Sequence, residues 1–448
     1  MSRAPLIACH ECDLLQHETV LADGGVARCR RCNAELYRSR PDGLNRALAW
    51  TLAAIVLFAI ANAFPIVGLS VNGDLVQTTL FGAARILYRD GMWPLAGLVL
   101  ATTIVMPLLQ MVTMTYLLLP LRFGRAPLHP EVMFRTLRLS EPWGMTEVLI
   151  LGLLVALVKL AHIAGVVPGV ALWAFGAVML ALAAVSSAFD PREFWEQVSA
   201  ARKASGAGAN QTHANHEMHA THAMHATHAM HAAPIHAPAP AAAPTAARAG
   251  LFVCHDCGLL SKAEPHAHEA TCPRCGAQLH FRKPDSITRT WAYLISAIVL
   301  YIPANTLPMM DTSSLFGAQR DTIMSGVVYL WTSGSWPLAV VVFIASIAVP
   351  MLKIMALVFL VVTAQRRSLW LPVYRTRVYR VVEIVGRWSM LDIYVVTVLV
   401  ALVQFNALAT INAGPAAIAF GAVVVLTMFA AMSFDPRLIW DPTERDDG

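Results

Sequence analysis

Long stretches of this chain are apolar and free of charge, and its polar residues gather between them. Residues 47–73 and 91–121 contain no Asp, Glu, Lys or Arg, and between Glu147 and Asp190 the only ionisable side chains are Lys159 and His162. A helix needs about 20 mostly apolar residues to cross the hydrocarbon core of a bilayer, so each stretch predicts at least one span. The third is long enough for two, with a reversal at Gly165-Val166-Val167-Pro168-Gly169, where Gly and Pro break the helix. The second half of the chain predicts spans near 291–310, 336–364, 391–411 and 416–434, with a turn at Asn412-Ala413-Gly414-Pro415. The expectation is eight spans.

Composition agrees with the pattern: 57% of residues are hydrophobic and only 14% charged, and the mean hydropathy is +0.56. An ordinary soluble chain carries about 25% charged residues. The first apolar run follows a Cys-containing polar segment of about forty residues, so no separate cleavable signal is expected.

The two halves repeat one another. Phe189-Asp190-Pro191-Arg192 closes one apolar run and Phe434-Asp435-Pro436-Arg437 another. Asn62-Ala63-Phe64-Pro65 matches Asn305-Thr306-Leu307-Pro308, Trp93-Pro94-Leu95-Ala96 matches Trp336-Pro337-Leu338-Ala339, and Trp50 matches Trp291. A register kept throughout marks a duplicated module. In the closing motif the Phe is expected at the membrane interface and the Asp at the cap of a short helix begun by Pro, with Glu193 completing a capping box in the first copy. Four spans per copy is an even number, so the copies are parallel repeats. Arginines before the first span (Arg28, Arg30, Arg31, Arg38, Arg40, Arg46), between spans two and three (Arg122, Arg125, Arg135, Arg138) and in the corresponding second-half link (Arg366, Arg367, Arg375, Arg377, Arg380, Arg387) fall on one side. The positive-inside rule makes that side the cytoplasm, with both termini inside, and the basic links are placed to meet anionic head groups.

All eight cysteines fall in Cys9-x2-Cys12-x16-Cys29-x2-Cys32 and Cys254-x2-Cys257-x14-Cys272-x2-Cys275. Two CxxC pairs in series describe a tetrahedral four-thiolate zinc site, each pair on a tight knuckle. Disulfides are disfavoured on the cytoplasmic side, and thioredoxin-like motifs by the lack of a βαβ context. Two structural Zn2+ ions are expected, one per ribbon of short β-hairpins, with no open coordination position for a substrate. Between the halves runs an Ala/Pro/His-rich segment with His213, His216, His219, His222, His225, His228 and His231 at every third position. It reads as a flexible tether, with binding of zinc, nickel or copper by the imidazoles the alternative to low-complexity drift. The domain expectation is therefore ribbon 1 (1–43), transmembrane module 1 (44–198), linker (199–250), ribbon 2 (251–284), transmembrane module 2 (285–440) and a tail (441–448).

Ionisable groups inside a membrane are costly and mark candidate sites. Lys353 follows Pro350 by three residues in the sixth span, and the proline leaves the Ser346 carbonyl without its helical partner. The matching residue is Gln110, three after Pro107. Glu147 and Asp392 occupy equivalent positions near the cytoplasmic ends of spans three and seven, where arginines or Lys353 could pair with them. Lys159 and His162 lie near the outer end of span three, where snorkelling is expected. Asn62 and Asn305 are expected to satisfy a broken helix end.

Taken together, two ribbon-plus-four-span modules, each with CxxC…CxxC, Asn-x-x-Pro, Trp-Pro-Leu-Ala and Phe-Asp-Pro-Arg, resemble the paraquat-inducible protein A family over nearly the whole chain apart from the His-rich linker. The resemblance implies an α-helical polytopic protein of a Gram-negative inner membrane, working with a periplasmic partner of MCE domains that forms a tunnel for moving lipids between membranes. It implies that a polar network in the second module supports lipid movement, which Lys353 and Ser346 match, and that the eight cysteines bind zinc. The linker departs from the family pattern.

The reading that follows is a lipid-handling membrane subunit, not an enzyme, with membrane lipids and an MCE-domain protein as partners and no nucleic acid. No Gly-rich phosphate loop with Lys-Ser/Thr is present for ATP. A quinone redox enzyme has only His162 within the spans to offer a haem. A zinc-dependent scaffold or stress sensor that moves nothing is the alternative, and it would tolerate substitution of Lys353.

Overall fold

The computed structural model describes residues 6–71, 74–144, 146–161, 165–204, 245–262, 270–314, 317–334, 336–388, scattered positions between 390 and 405, and 409–444. Most of the linker (205–244), His162 and Asp392 lie outside the described residues, as do the side chains of Lys159 and of residues 401–413.

Each ribbon is two antiparallel β-hairpins. Ribbon 1 pairs β1 (Leu6–Ala8) with β2 (Leu15–His17) and β3 (Val26–Arg28) with β4 (Glu35–Arg38). The first module then runs α1 (Gly43–Ala63), β5 (Val67–Val71), β6 (Asp74–Thr78), α2 (Leu80–Arg89), α3 (Trp93–Leu100), α4 (Met106–Arg122), α5 (Pro130–Ser140), α6 (Thr146–Ala161), β7 (Gly165–Pro168), α7 (Val170–Ala188) and α8 (Pro191–Ala204).

Ribbon 2 pairs β8 (Leu251–Val253) with β9 (Leu260–Lys262) and β10 (Ala270–Thr271) with β11 (Gln278–Leu279). The second module repeats the first: α9 (Ser286–Thr306), β12 (Met310–Ser314), β13 (Gly317–Asp321), α10 (Ile323–Thr332), α11 (Trp336–Phe343), α12 (Val349–Gln365), α13 (Pro372–Trp388), β14 (Gln404–Phe405), β15 (Ala409–Ala413) and α14 (Pro415–Ser433).

Seven segments of the described residues are long and apolar enough to cross a membrane: Gly43–Ala63, Trp93–Arg122, Pro130–Leu157, Val170–Ala188, Ser286–Thr306, Ala339–Gln365 and Pro415–Ser433. The expected span 391–411 falls largely outside the described residues. Its C-terminal part is strand, not helix, because β15 pairs along its whole length with β12.

The two reversals expected as tight turns are strand up to a glycine, Gly169 or Gly414, that caps the next helix. Gly165–Pro168 pairs with β5 to make a sheet in the order β6-β5-β7, and the second module has the order β13-β12-β15-β14. The segments between spans are thus organised sheets followed by short amphipathic helices, each capped by a threonine. Thr79 accepts from the Gly82 amide and Thr322 from the Ser325 amide. These sheets lie at the end of each module opposite the ribbons.

The repeated Asn-x-x-Pro motif has its explanation here. The Pro65 carbonyl accepts the Ala171 amide at 3.4 Å, and the Pro308 carbonyl accepts the Ala416 amide at 3.2 Å, so each proline caps the first turn of the last long apolar helix of its own module. The chain passes so close that a Cβ on Gly169 would lie 2.1 Å from the Pro65 oxygen, and one on Gly414 2.2 Å from the Pro308 oxygen. Only glycine fits there. As expected, Asn62 and Asn305 bond carbonyls near their helix ends, donating to Phe58 and Tyr301 at 2.8 and 2.9 Å.

Within each module the first helix packs lengthwise on the last long apolar helix, α1 on α7 and α9 on α14. A single apolar core runs across both modules, joining Phe58, Phe175 and Val178 to Met390, Tyr394 and Phe420. One buried hydrogen bond crosses it, from the Tyr394 hydroxyl to Thr102 Oγ1 at 2.9 Å.

Candidate functional site

The local geometry of the cysteines is that of zinc knuckles. The residue after each second cysteine (Asp13, Asn33, Gly258, Gly276) has positive φ. Its amide donates back to the carbonyl of the first cysteine at 2.8–3.0 Å in all four pairs. Asn and Asp tolerate this left-handed turn and Gly takes it freely. Each set of four buried sulfurs lies within 4.8 Å of one another. Sγ pairs stand 3.4–3.6 Å apart. That is well beyond a disulfide and near the edge, about 3.8 Å, of a tetrahedron with metal–sulfur bonds of about 2.3 Å. Both four-cysteine clusters can therefore hold a metal ion, with every coordination position filled by protein.

The ribbons dock crosswise. Ribbon 1 shares its core with the second module, where Cys9, Cys12 and Leu14 lie in one cluster with Leu357, Tyr379, Phe434 and Trp440. Ribbon 2 shares its core with the first module, where Phe252 and its four cysteines join Leu44, Phe134, Phe189 and Phe194. An acid inside each first CxxC marks the crossing. Glu11 accepts from Arg380 Nε at 2.7 and 2.9 Å and pairs also with its Nη2, while Arg380 Nη2 donates to the Cys32 carbonyl at 2.8 Å. That pairing keeps the Arg380 guanidinium firmly protonated. The equivalent acid, Asp256, sits in the field of Arg138 and Arg135 on α5. Arg31 lies 4.4 Å from the Trp440 ring centroid, a cation–π contact in the same interface.

The two Phe-Asp-Pro-Arg motifs close this interface in different ways. In each, the Asp caps as expected: Asp190 accepts the Arg192 amide at 2.8 Å and Asp435 the Arg437 amide at 3.1 Å. Neither Phe faces a membrane interface. Phe189 and Phe434 are buried, against Phe194 and Tyr379, because the ribbons cover the helix ends that would otherwise meet solvent or lipid. Arg192 reaches out to Glu18 of ribbon 1 at 3.1 Å and stacks on Tyr37.

Arg437 instead folds onto its own Asp435, with paired hydrogen bonds of 3.0 and 2.9 Å, and donates to His255 Nε2 of ribbon 2 at 2.8 Å. Burial, together with the Arg437 charge, pushes His255 down to about 3, so the ring is neutral and its Nε2 accepts. Burial pulls Asp435 the other way, but Arg437 and the Lys283 amide outweigh it and hold the carboxyl below its ordinary value. Both motifs and both ribbons line one cavity of about 520 Å3.

Inside the modules, the polar residues singled out from sequence sit in a broken helix. A π-helical turn interrupts each long second span, at Ala101–Val105 and Ile344–Ala348, just before Pro107 and Pro350. The expected kink at Pro350 is thus a π-bulge, which inserts a residue and frees carbonyls from the helical ladder. Side chains take some of them: Thr103 and Thr102 donate to Val99 and Leu98 at 2.6 and 2.9 Å, and Tyr301 donates to Ile347 at 3.1 Å.

Ser346 and Lys353 are 1% and 3% exposed, and neither Ser346 Oγ nor Lys353 Nζ has a hydrogen-bond partner among the described residues. They stand two turns apart on one helix, about 10 Å along its axis. A glycine makes room for the ammonium, since a Cβ on Gly386 would lie 3.2 Å from Lys353 Nζ. The first module repeats the device with Gln110, 8% exposed, whose Oε1 lies 3.2 Å from the Cβ position of Gly144. Glu147 is exposed and opens onto the same cavity as Gln110.

A family model described as paraquat-inducible protein A matches twice, at residues 44–199 and 287–444. The chain belongs to the paraquat-inducible protein A family. The intermembrane transport protein PqiA of Escherichia coli (strain K12) is 32% identical over 441 residues, covering 97% of this chain and 95% of the relative. Lipophilic envelope-spanning tunnel protein A of the same strain is 28% identical over 436 residues, 97% of this chain and 91% of that one. A probable intermembrane transport protein of Haemophilus influenzae is 36% identical over 181 residues, 40% of this chain and 44% of the relative. No solved structure matches.

The two matched segments of the paraquat-inducible protein A model fall on the transmembrane modules, in keeping with the duplication. Sequence reading missed Glu11 and Asp256, Gly144 and Gly386, and the Tyr394–Thr102 bond. The acids were visible as Cys-His-acid-Cys in both ribbons. The others carry no local signal.

Proposed function

We propose that this protein is an inner-membrane subunit that passes phospholipid or a related lipid between the membrane and a periplasmic tunnel built of MCE domains. The names of its full-length relatives, an intermembrane transport protein and an envelope-spanning tunnel protein, support the reading. In this reading the ribbon side is cytoplasmic, which the arginine distribution supports, and the β-sheets face the periplasm. The clusters Cys9/Cys12/Cys29/Cys32 and Cys254/Cys257/Cys272/Cys275 each hold a Zn2+ ion, which fixes the ribbon fold and supplies no chemistry to the lipid.

The observation that carries the proposal is the pair of unpartnered buried groups, Ser346 Oγ and Lys353 Nζ, beside a π-bulge and a glycine. An ammonium buried without an anion is costly, and a lipid phosphate entering from the membrane supplies the missing charge. Gln110 and Glu147 share a cavity that Lys353 does not line, so they and Asp392 are assigned as further polar contacts along the lipid path, with the neutral amide of Gln110 marking the first module as a different kind of site.

Photo-crosslinking tests it. A probe at Ile354, which is 8% exposed beside Lys353, is compared with probes at Leu352 and Met355, both 58% exposed. In cells labelled in lipid phosphate, label at 354 that disappears in Lys353→Met, against unchanged background at 352 and 355, is the expected result. Label at 354 no higher than at the outward positions overturns the proposal and leaves the zinc-dependent scaffold.

A further inference from the structure

The first module contains a second polar cavity, of about 350 Å3, whose walls include Gln110, Arg138, Glu141, Thr146, Glu147 and Ser186. Its other walls are mostly aliphatic and aromatic. Arg138 Nη1 is bonded to Glu141 Oε2 at 2.9 Å, which leaves the Glu147 carboxylate as a surplus negative charge with no ion-pair partner among the described residues. Gln110, more than nine-tenths buried, has no hydrogen bond among the described residues and turns its amide into the same space. The equivalent residue in the second module is Lys353. The duplicated modules thus differ at this position, an amide in one and an ammonium in the other, while both carry an acid at the position of Glu147, which is Asp392 in the second module.

We infer that this cavity binds a lipid head group carrying both a primary ammonium and a phosphate, the phosphoethanolamine type. An ammonium has three N–H donors, matched by Glu147, Glu141 and the Gln110 carbonyl. The phosphate finds the remaining Arg138 N–H groups, since the Ser186 hydroxyl is already donated to the Leu182 carbonyl at 3.0 Å. A purely anionic head group meets two carboxylates against one guanidinium and is repelled. A quaternary ammonium has no N–H to donate, so it forfeits the charge-assisted bonds. The inference rests on the lipid-transport reading and adds to it the class of head group admitted by the first module.

The test is native mass spectrometry of the full chain offered an equal mixture of phosphatidylethanolamine, phosphatidylcholine and phosphatidylglycerol with identical acyl chains. The expected result is retention of the primary amine lipid over the other two by about fivefold or more. That preference falls to about parity in Glu147→Gln and survives in Glu147→Asp, which keeps the charge and controls for folding. Equal retention of the three lipids by the wild type, or a preference unchanged in Glu147→Gln, overturns the inference. So does retention of soluble phosphoethanolamine in preference to the lipid at equal concentration, which would assign the cavity to a free metabolite. Because the photo-probe at residue 354 lies in the other module, loss of head-group preference with intact labelling there discards this inference alone, whereas absence of both discards lipid handling.

Discussion

Glu11 and Arg380 form a multiply bonded ion pair across 369 positions of sequence, tying the first ribbon to the second module. Glu11 is only 8% exposed on its side chain and Arg380 26%, so the Glu11 carboxylate has little access to water once Arg380 is gone. Removing one partner of a largely buried pair costs about 2–4 kcal/mol. Glu11→Ala and Arg380→Ala are each expected to lower the thermal midpoint and to speed proteolysis of ribbon 1. The double variant should cost less than the sum of the two, as a double-mutant cycle on the unfolding free energy will show.

The crossing makes a directional prediction about the metals. On the proposal that each cluster holds Zn2+, Cys32→Ser and Cys275→Ser should each reduce bound metal from two ions to one per chain, measured by plasma mass spectrometry. Loss of the ion in ribbon 1 should raise hydrogen exchange in α13 of the second module, and loss of the ion in ribbon 2 should raise it in α5 and α8 of the first. Exchange that rises only in the module following each ribbon in sequence would refute the crossing.

Gly386 is expected to behave as a positioning residue for Lys353. A methyl there would stand 3.2 Å from Nζ, so the ammonium would have to give by a few tenths of an ångström, while Cε at 3.5 Å stays in ordinary contact. Gly386→Ala should cut lipid labelling at residue 354 several-fold, while Gly144→Ala, which presses on Gln110 in the other module, should change it by less than about twofold. Unaltered labelling in Gly386→Ala would show that the lysine does not need that position.

Acid stability should depend on Asp435. Burial disfavours its carboxylate, but Arg437 and the hydrogen bonds it receives hold the folded pKa below the ordinary 3.8. A carboxyl lowered on folding contributes its stability in full above the unfolded value and loses it as the pH falls through the folded one. Asp435→Asn is therefore destabilised by a constant amount at neutral pH, and the gap to wild type narrows only as the pH falls below about 3.8. Thermal unfolding of both proteins in detergent across that range checks the sign, and a gap that widens in acid would contradict it.

Much of the architecture was legible because its signals are local. Apolar runs place the spans since lipid admits only backbones that satisfy themselves, and CxxC spacing implies a knuckle because two neighbouring sulfurs reach one ion only through a tight turn. The reversals at Gly165–Pro168 and Ala409–Ala413 were misread as turns or span ends because strand pairing is decided by partners far along the chain. The same limit hid the glycines: nothing near Gly386 in sequence announces that a lysine ammonium from another helix will need its space.

The sequence by itself determined the duplicated membrane-spanning modules, the two four-thiolate ribbons and the polar residues inside the spans, all of which follow from periodicity, spacing and the energetic cost of charge in lipid. Only the tertiary structure decided that each ribbon braces the opposite module, that identical Phe-Asp-Pro-Arg motifs bond differently, one outward and one inward, and that Lys353 and Gln110 each face a glycine. Those features depend on which surfaces meet when four separate pieces pack together, and side-chain contacts between distant segments leave no imprint on the order of residues within either one.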